Sequence, residues 1–283
     1  MEVITDISTM QSRSQEIRGR GQRIVLVPTM GYFHEGHLSL FRAGRPLGEK
    51  LVVSIFVNPL QFGPAEDFER YPRDMSRDLA LAESEGVDIV FAPSVDEMYP
   101  PGFQTVVEVS ELSRGLCGRS RPGHFKGVST VVVKLFNIVR PHLAVFGRKD
   151  YQQLLVIKRL IRDLNLNIAV LELPIVRDKD GLALSSRNSY LSPGEREQAL
   201  CLFNGVNLAR ELYLGGERSA AKIVREVERF IQRHPLARID YITICNATTL
   251  EEVEEATEGT LLALAVFVGK TRLIDNYIFG EVL

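Results

Sequence analysis

Short apolar runs alternate with segments of helical spacing through the first 173 residues, and this alternation limits the possible folds more than any other feature. Almost wholly apolar runs of this length are typical of strands that are covered on both faces of a parallel sheet. They lie at residues 24–27, 51–57, 87–91, 143–146 and 168–173, after a short strand and a polar helix within residues 1–22. Strands that alternate with helices predict right-handed crossovers and a Rossmann-like, doubly wound parallel sheet of the α/β class.

The loops after two of these strands are expected to meet. If the five runs, numbered in chain order, are arranged in the strand order 3-2-1-4-5, strands 1 and 4 are neighbours. Their carboxyl ends then flank the topological switch point, where open α/β sheets bind ligands. The two loops at that point are Pro28–His37 and Gly147–Asp150. We therefore expect these loops to form one shared site.

The pattern changes near residue 176, after which the alternation of strands and helices stops. A turn at 178–181 is followed by two helical segments and then three strand-like segments. These segments lie at residues 193–214, 220–233, 239–244, 261–268 and 271–276. We expect a Rossmann-like domain over residues 1–175 and a smaller α+β domain over residues 176–283.

Charge and composition exclude several functional classes. The 283 residues carry 34 Lys and Arg against 36 Asp and Glu, a formal net charge of −2, so no global basic excess points to nucleic acid. No apolar run reaches the ~20 residues that a membrane span needs, and the N-terminus lacks the pattern of a signal peptide. The widely spaced Cys117, Cys201 and Cys245 form no C-x-x-C pair. We expect them to be reduced, buried thiols in a cytoplasmic protein.

The turn Pro28–His37 leads into a helix and contains two glycines and two histidines. The N–H groups and dipole at a helix start favour an anionic phosphate. There an imidazole of His34 or His37 can hydrogen-bond a triphosphate and, when protonated, offset the charge that develops as pyrophosphate leaves. One alternative is a pair of ordinary half-exposed histidines. Another is a metal site, for which His124 or Glu35 would be the third ligand, but neither has a recognisable spacing, so we assign no metal ligand.

Three other groups of residues can serve the same ligand or its co-substrate. Lys149, in the turn Gly147–Asp150, is a compact point charge suited to a phosphate. The loop Leu184–Arg187 offers two hydroxyls and a guanidinium, which can wrap a phosphate chain. Gln61 and Gln153 can hold the hydroxyls and carboxylate of a hydroxy-acid without fully neutralising the oxygen that attacks. Taken singly, each group also fits a solvated surface position.

Several runs match a known family, in order and over most of the chain. They are P-T-M-G-Y-F-H-E-G-H at 28–37, S-I-F-V-N-P-L-Q-F at 54–62, R-P-G-H-F-K-G-V-S-T at 121–130, F-G-R-K-D-Y-Q-Q at 146–153, D-G-L-A-L-S-S-R-N at 180–188 and R-L-I-D-N at 272–276. On these residues the chain resembles the pantothenate synthetases (pantoate–β-alanine ligases). These belong to the nucleotidyltransferase superfamily with H-x-G-H-type and K-M-S-K-S-type signatures.

The resemblance implies a two-step reaction. The carboxylate of pantoate attacks the α-phosphate of ATP to give pantoyl adenylate and pyrophosphate. The amine of β-alanine then attacks the acyl carbon to give pantothenate and AMP. The resemblance also implies ATP as a substrate with Mg²⁺ on the triphosphate, no tightly bound cofactor, and a cytoplasmic homodimer without a nucleic-acid or membrane partner. The first domain would bind nucleotide and pantoate, and the second would act as a lid that closes over the nucleotide.

The resemblance implies the site residues as well. His37 would be the proton donor, with His34 and Lys149 as the other catalytic candidates, and Gln61 and Gln153 would hold pantoate. The ATP site would comprise Met30, Gly31, Tyr32, Phe33, His34, Glu35, Gly36, His37, Gly147, Arg148, Lys149, Asp150, Val176, Leu184, Ser185, Ser186 and Arg187. Position 148 is arginine where many family members carry glutamate or glutamine, so the resemblance does not extend to this side chain.

Three rival functions fit the sequence less well than the ligase. Another enzyme of the superfamily would attach AMP to a phosphorylated cofactor precursor, and Gln61 and the R-P-G-H-F run argue against it. A non-catalytic nucleotide-binding module is disfavoured because His34, His37, Lys149 and the hydroxyl-bearing loop occur together. A tRNA-binding second domain is disfavoured because no basic stripe follows residue 190.

Overall fold

A computed structural model describes residues 1–64 and 66–282 of the chain. Its strands are β1 (Glu2–Ile4), β2 (Ile24–Thr29), β3 (Lys50–Ile55), β4 (Ile89–Phe91), β5 (Leu143–Gly147), β6 (Ala169–Leu173), β7 (Ala237–Asn246), β8 (Thr260–Val268) and β9 (Thr271–Ile278). Its α-helices are α1 (Ile7–Gly19), α2 (Glu35–Gly44), α3 (Met75–Ser84), α4 (Val95–Met98), α5 (Cys117–Ser120), α6 (His124–Val139), α7 (Tyr151–Asp163), α8 (Pro193–Ala199), α9 (Cys201–Leu214) and α10 (Ala220–Ile231). Short 3₁₀ segments lie at Arg45–Leu47, Pro59–Gln61, Arg148–Asp150 and Ser186–Tyr190.

The first six strands form one parallel sheet in the order β1-β4-β3-β2-β5-β6. Strands β2 to β6 are the five predicted apolar runs, so the order 3-2-1-4-5 is confirmed. The N-terminal strand β1 adds to the edge of the sheet beside β4. The fold is therefore the predicted α/β, doubly wound arrangement.

Both faces of this sheet are covered, which explains why its strands are continuous apolar runs. Side chains of a strand alternate between the two faces. Ile24 and Leu26 pack into a cluster with α1, α6 and α7, whereas Val25 and Val27 pack with α2 and α3 on the other face. All four are at most 1% exposed, and full burial of each such side chain contributes about 1.5–3 kcal/mol.

Two predicted helices have different limits in the structure. The helix predicted from residue 128 begins at His124, directly after Gly123, whose φ of +84° is left-handed. The single helix predicted over 193–214 is wrong, because α8 and α9 are separate. Between them the N–H of Leu200 donates to Glu197 three residues earlier at 3.3 Å, so the i→i−4 ladder is interrupted.

The chain divides into two compact units. The first consists of Met1–Ser113, Arg121–Arg148 and Gln153–Pro174 and contains the parallel sheet. The second consists of the remainder, at 114–120, 149–152 and 175–283. Within this second unit, β7, β8 and β9 form an antiparallel sheet in chain order, and the sheet shares a buried apolar cluster with α9 and α10.

Hydrogen bonds made by the side-chain amide of Gln152 attach the segment 114–120 to the rest of the second unit. The N–H of Cys117 donates to Gln152 Oε1 at 3.0 Å, and Gln152 Nε2 donates to Gly115 O at 2.9 Å. The three cysteines are buried and unpaired with one another, as expected. Among the described residues, none of the helices has both the length and the apolar character needed to cross a bilayer.

Candidate active site

The turn after β2 leaves the sheet through two residues in the left-handed region. Gly31 has a φ of +82° and Tyr32 a φ of +53°. Thr29 Oγ1 donates to Ser54 O at 2.6 Å and accepts from Gly31 N at 3.2 Å, which ties the turn to β3. A Cβ at position 31 would lie 2.9 Å from the carboxylate of Asp78. Position 31 therefore requires glycine for both its backbone conformation and its close approach to Asp78.

A buried carboxylate from α3 holds this turn. Asp78 is 1% exposed, and its two oxygens accept from Tyr32 N at 2.6 Å and from Phe33 N at 2.7 Å. Burial raises the pKa of Asp78, while the two N–H donors favour its ionised form. The side chain thereby satisfies two backbone donors that a left-handed turn cannot pair within the sheet.

The two histidines of the predicted phosphate site stand at the start of α2. His34 is the N-cap residue with an extended backbone, and its N–H donates to His37 Nδ1 at 3.3 Å. The centroids of the two rings are 4.1 Å apart. Because Nδ1 of His37 accepts this bond, the neutral ring carries its proton on Nε2. Nε2 of His37 can therefore donate a hydrogen bond to a ligand.

The carboxylate of Glu35 lies in an ion-pair network. Arg42 of the same helix pairs with Glu35 and also with Glu85 at the end of α3, the latter at 2.5 Å. Glu35 was predicted to belong to the ATP site. Its side chain is paired with Arg42, whereas its first-turn backbone N–H has no acceptor inside the helix.

A second amide, Asn58, sets the orientation of Gln61. Asn58 Oδ1 accepts from Tyr99 Oη at 2.8 Å, and its Nδ2 donates to Gly127 O and to Gln61 Oε1, both at 3.1 Å. The oxygen of Gln61 is thus turned toward Asn58, and its NH₂ group lies 3.0 Å from Met30 Sδ. The structure therefore brings together Met30 and Gln61, which were predicted for ATP and pantoate respectively, with the Gln61 amide presented as a donor.

The segment before and at the start of α6 holds the backbone of Gln61. His124 Nδ1 donates to Gln61 O at 2.8 Å, and its Nε2 accepts from Arg121 Nη1 at 3.1 Å. Arg121 also pairs with Glu66 at 2.5 Å. Burial opposes ionisation of Glu66, but the Arg121 guanidinium prevails and lowers the pKa of this carboxyl.

The metal-site alternative has no support in this arrangement. Both ring nitrogens of His124 bind protein groups, and the Glu35 carboxylate is paired with Arg42. Within residues 1–64 and 66–282, no group of three or more His, Cys, Asp or Glu side chains is placed to hold a metal ion.

Strand β5 ends at the same edge of the sheet as β2. Leu26 pairs with Ala144 in parallel register, and each strand continues for three residues beyond this pair, to Thr29 in β2 and to Gly147 in β5. The predicted neighbourhood of these two strands is confirmed. Gly147 therefore begins its turn beside the strand from which the histidine-bearing turn departs.

Lys149 lies in the 3₁₀ turn that precedes α7, within the second unit. Its Nζ is 3.6 Å from Asp150 Oδ2, and its backbone oxygen accepts from Asn276 Nδ2 at 2.9 Å. Gln153, predicted for pantoate, is half-buried in the first turn of α7. The side chain of Lys149 is 21% exposed.

Val176 and the loop Leu184–Arg187 belong to one small hairpin of the second unit. Leu184 N donates to Val176 O at 3.0 Å, so these two residues, both predicted for the ATP site, are neighbours. Ser185 Oγ accepts from Arg187 N at 3.3 Å and so caps the following 3₁₀ turn. Ser186 is buried, with 6% of its surface exposed.

The sequence predictions for the site omitted residues that hold its members in place. These are Asn58, Asp78, Arg121, His124 and Asn276. All but Asp78 lie inside runs that matched the family, and that match was the available signal. Asp78 lies in an amphipathic polar segment, where nothing in the sequence distinguishes a buried carboxylate from an exposed one.

A doubly wound parallel sheet with a glycine- and histidine-bearing turn at an inner strand's carboxyl end is typical of the class of α/β proteins that bind ligands at the carboxyl edge of the sheet. The family profile described as Pantoate-beta-alanine ligase matches residues 2–278. The chain belongs to this family. It is an ATP-dependent ligase of pantothenate biosynthesis, and the family works through an adenylate intermediate.

Relatives and solved structures agree with this assignment over the whole chain. The pantothenate synthetase of Syntrophus aciditrophicus (strain SB) is 55% identical, covering 100% of this chain and 99% of that protein. That of Geobacter sulfurreducens is 56% identical, with 99% of each covered. A crystal structure of the Thermus thermophilus pantothenate synthetase has a TM-score of 0.93 at 43% identity, covering 98% of this chain and 99% of that one.

A further solved structure was determined with ligands. The pantoate-beta-alanine ligase of Francisella tularensis, complexed with beta-gamma ATP and beta-alanine, has a TM-score of 0.83 at 32% identity. It covers 98% of this chain and 97% of that chain. These matches confirm the family and the fold class expected from the sequence.

The Asp78→Asn substitution tests the support of the histidine-bearing turn. It replaces one acceptor by an NH₂ group that faces a backbone N–H, and an unsatisfied buried donor costs about 1–3 kcal/mol. We expect the free energy of unfolding to fall by that amount. We also expect adenylate formation to slow by about 10²-fold, the scale for a 1 Å misplacement. Chemical denaturation and pyrophosphate release measure the two effects.

The matched control for this test is Asp74→Asn on the same helix. Asp74 is exposed and caps α3 by accepting from Arg77 N, a role that asparagine fills equally well. Asp78→Asn with wild-type stability and rate would contradict the role assigned to the carboxylate.

The Gly127→Ala substitution tests the link between α6 and Gln61. A Cβ at this position would overlap the carbonyl of Leu60 and lie 2.5 Å from Gln61 N. We expect a loss of about 1–3 kcal/mol in stability from overpacking. Because the turn Pro59–Gln61 must move, we also expect a raised KM for pantoate. The control is Gly19→Ala, where an added Cβ meets nothing within 4 Å. An unchanged pantoate KM in Gly127→Ala would refute the link.

Proposed function

We propose that pantoate and the α-phosphate of ATP meet at the edge of the parallel sheet formed by the carboxyl ends of β2 and β3. The single observation that carries this proposal is the contact between Gln61 Nε2 and Met30 Sδ at 3.0 Å. It joins the loop that would hold pantoate to the turn that would hold ATP. Adjacent sites are what an attack of the pantoate carboxylate on the α-phosphate requires, because the reacting atoms must be held about 3–3.5 Å apart.

The first step forms the adenylate. A carboxylate oxygen of pantoate bonds to the α-phosphorus, the bond to the bridging oxygen breaks, and pyrophosphate leaves with that electron pair. Gln61 and Gln153 hold pantoate, and the Gln61 NH₂ group donates to it without supplying a charge that would neutralise the attacking oxygen.

The developing charge on pyrophosphate is stabilised by residues with different chemistry. His37 donates a hydrogen bond from Nε2 to the leaving pyrophosphate, and the tautomer set by its Nδ1 contact with the His34 N–H supports this role. The N-terminus of α2 adds a positive dipole end. Lys149 adds a compact positive charge. We propose that the rest of the ATP site comprises the turn 30–37 with Gly147, Arg148, Asp150, Val176 and Leu184–Arg187.

The second step forms the amide. The β-alanine nitrogen attacks the acyl carbon and loses a proton, and AMP leaves with the electron pair of the bond between the acyl carbon and oxygen. An acyl adenylate hydrolyses in water, so the site must exclude water between the steps. The second unit is proposed to serve as the lid that does so.

ATP is proposed to enter as its Mg²⁺ complex, because Mg²⁺ binds phosphate oxygens together with few protein carboxylates. We propose that no other cofactor is bound and that the chain acts as a cytoplasmic homodimer. Sedimentation at about twice the 31.8 kDa chain mass is the expected result. A monomer mass under assay conditions would contradict it.

The test of the reaction follows pyrophosphate and AMP separately. With ATP and pantoate alone, we expect pyrophosphate equivalent to about one enzyme turnover, and AMP release should require β-alanine in addition. His37→Ala and Lys149→Ala should each slow pyrophosphate release by about 10²–10³-fold, the scale for removing one preorganised electrostatic donor.

Matched controls separate these roles from general effects of losing a basic side chain. Lys158→Ala removes a lysine that pairs with Glu172 on the surface, and His234→Ala removes a histidine outside the site. Both should keep normal rates. Near-normal pyrophosphate release in His37→Ala and Lys149→Ala would refute the assigned roles, and pyrophosphate without amine-dependent AMP would favour another nucleotidyltransferase.

A further inference from the structure

Two neighbouring residues of β9, Asp275 and Asn276, hold two segments of the proposed ATP site. They are 2% and 8% exposed respectively. Each uses its side chain to bind a segment that is distant in the chain. The mechanism above assigns neither of them a role.

Asn276 binds the backbone of Lys149. Its Nδ2 donates to the Lys149 carbonyl oxygen at 2.9 Å. The 3₁₀ turn that contains Lys149 spans only Arg148–Asp150, and hydrogen bonds in 3₁₀ turns have poorer geometry than those in α-helices. A bond from a strand therefore supplies a fixed point for the residue whose ammonium must reach the phosphates.

Asp275 binds the hairpin that leads to the loop Leu184–Arg187. Its two oxygens accept from Arg177 Nη1 at 2.7 Å and from Arg177 Nη2 at 2.9 Å. Arg177 Nη1 also donates to Gly181 O at 3.1 Å, across the hairpin turn. A bidentate pair of this kind fixes orientation as well as distance.

The strand that carries both residues is itself well fixed. All eight residues of β9 pair with β8 in one continuous antiparallel register, in which Asn276 lies opposite Ala263. Consecutive residues of a strand project to opposite faces, which is why adjacent positions reach two different segments. The sheet therefore acts as a rigid support for both segments.

We propose that Asn276, with Asp275 beside it, is a positioning residue for adenylate formation. It places Lys149 through the carbonyl oxygen, while Asp275 places the hairpin through Arg177. This inference rests on the proposed contact of Lys149 with the triphosphate. Neither residue touches the substrate. Their effect is confined to the step in which the triphosphate is present, because pyrophosphate has left before β-alanine attacks.

The test separates the two half-reactions in the Asn276→Ala and Asn276→Asp variants of the full chain. An ionised carboxylate cannot donate to the Lys149 carbonyl, and aspartate keeps the volume of asparagine, so the second variant removes the bond without a cavity. We expect pyrophosphate release from ATP and pantoate to slow by about 10–10²-fold. We expect AMP release from supplied pantoyl adenylate and β-alanine to stay within about twofold of wild type, because that step does not use the Lys149 contact.

A double-mutant cycle with Lys149→Ala tests whether Asn276 acts through Lys149. In that background the Asn276 substitutions should slow pyrophosphate release no further, because residues that act as a unit are not additive. Asn246→Ala is the control. It removes an exposed amide of the same sheet whose side-chain oxygen accepts from Thr248 N and Thr249 N, and it should leave both half-reactions unchanged.

The outcomes distinguish this inference from the function on which it rests. If Lys149→Ala slows pyrophosphate release but the Asn276 effect adds to it in full, the positioning role is overturned and the role of Lys149 stands. If both half-reactions fall together with the melting temperature, the role of Asn276 is structural and the inference is overturned. If Lys149→Ala releases pyrophosphate normally, the proposed role of Lys149 fails and the inference fails with it.

Discussion

The histidine-bearing turn depends on one buried carboxylate. Two successive residues with positive φ turn the chain out of β2, and the next N–H groups point away from any strand partner. Asp78 accepts from Tyr32 N and Phe33 N and so removes the cost of leaving two donors unpaired in the interior. The start of α2 follows directly, and with it the position of His34 and His37. A residue of α3 thus determines where the proposed proton donor of the reaction stands.

Hydrogen-bond direction carries similar weight at Gln61. The oxygen and the NH₂ group of a side-chain amide can exchange places by a rotation of the amide, and in an exposed loop both orientations can bind water. Here Tyr99 and Gly127 leave Asn58 only one orientation, and Asn58 in turn leaves Gln61 only one. Such a network is favourable only when every member is satisfied. Arg121 and His124 complete the network by donating to the backbone carbonyl oxygen of Gln61. The NH₂ group of the neutral Gln61 side chain is thereby a donor of fixed direction.

In the second unit, a strand of an antiparallel sheet holds distant segments of the chain in place. Its edge strand β9 places Arg272 against Asp240 at 2.7 Å, Asp275 against Arg177, and Asn276 against Lys149 O. Loops that bind phosphate need backbone freedom to approach the ligand but lose activity when misplaced. Support from a strand resolves this conflict, because the strand is held by its own ladder and not by the loop.

The sequence by itself determined the alternation of strands and helices, the fold class and the family, and it is the basis for proposing the groups that handle phosphate. Those features are local or periodic: apolar runs, glycine and histidine spacing, and short motifs. Only the tertiary structure decided which side chains orient them. Asp78, Asn58 and Asn276 act on residues 46, 3 and 127 positions away, and nothing in the spacing of Asp78 or Asn276 records such partners. The tertiary structure also pairs Glu35 with Arg42 and divides the helix predicted over residues 193–214 at Leu200. The physical reason is that burial and hydrogen-bond direction are properties of the packed chain, whereas periodicity is a property of each segment alone.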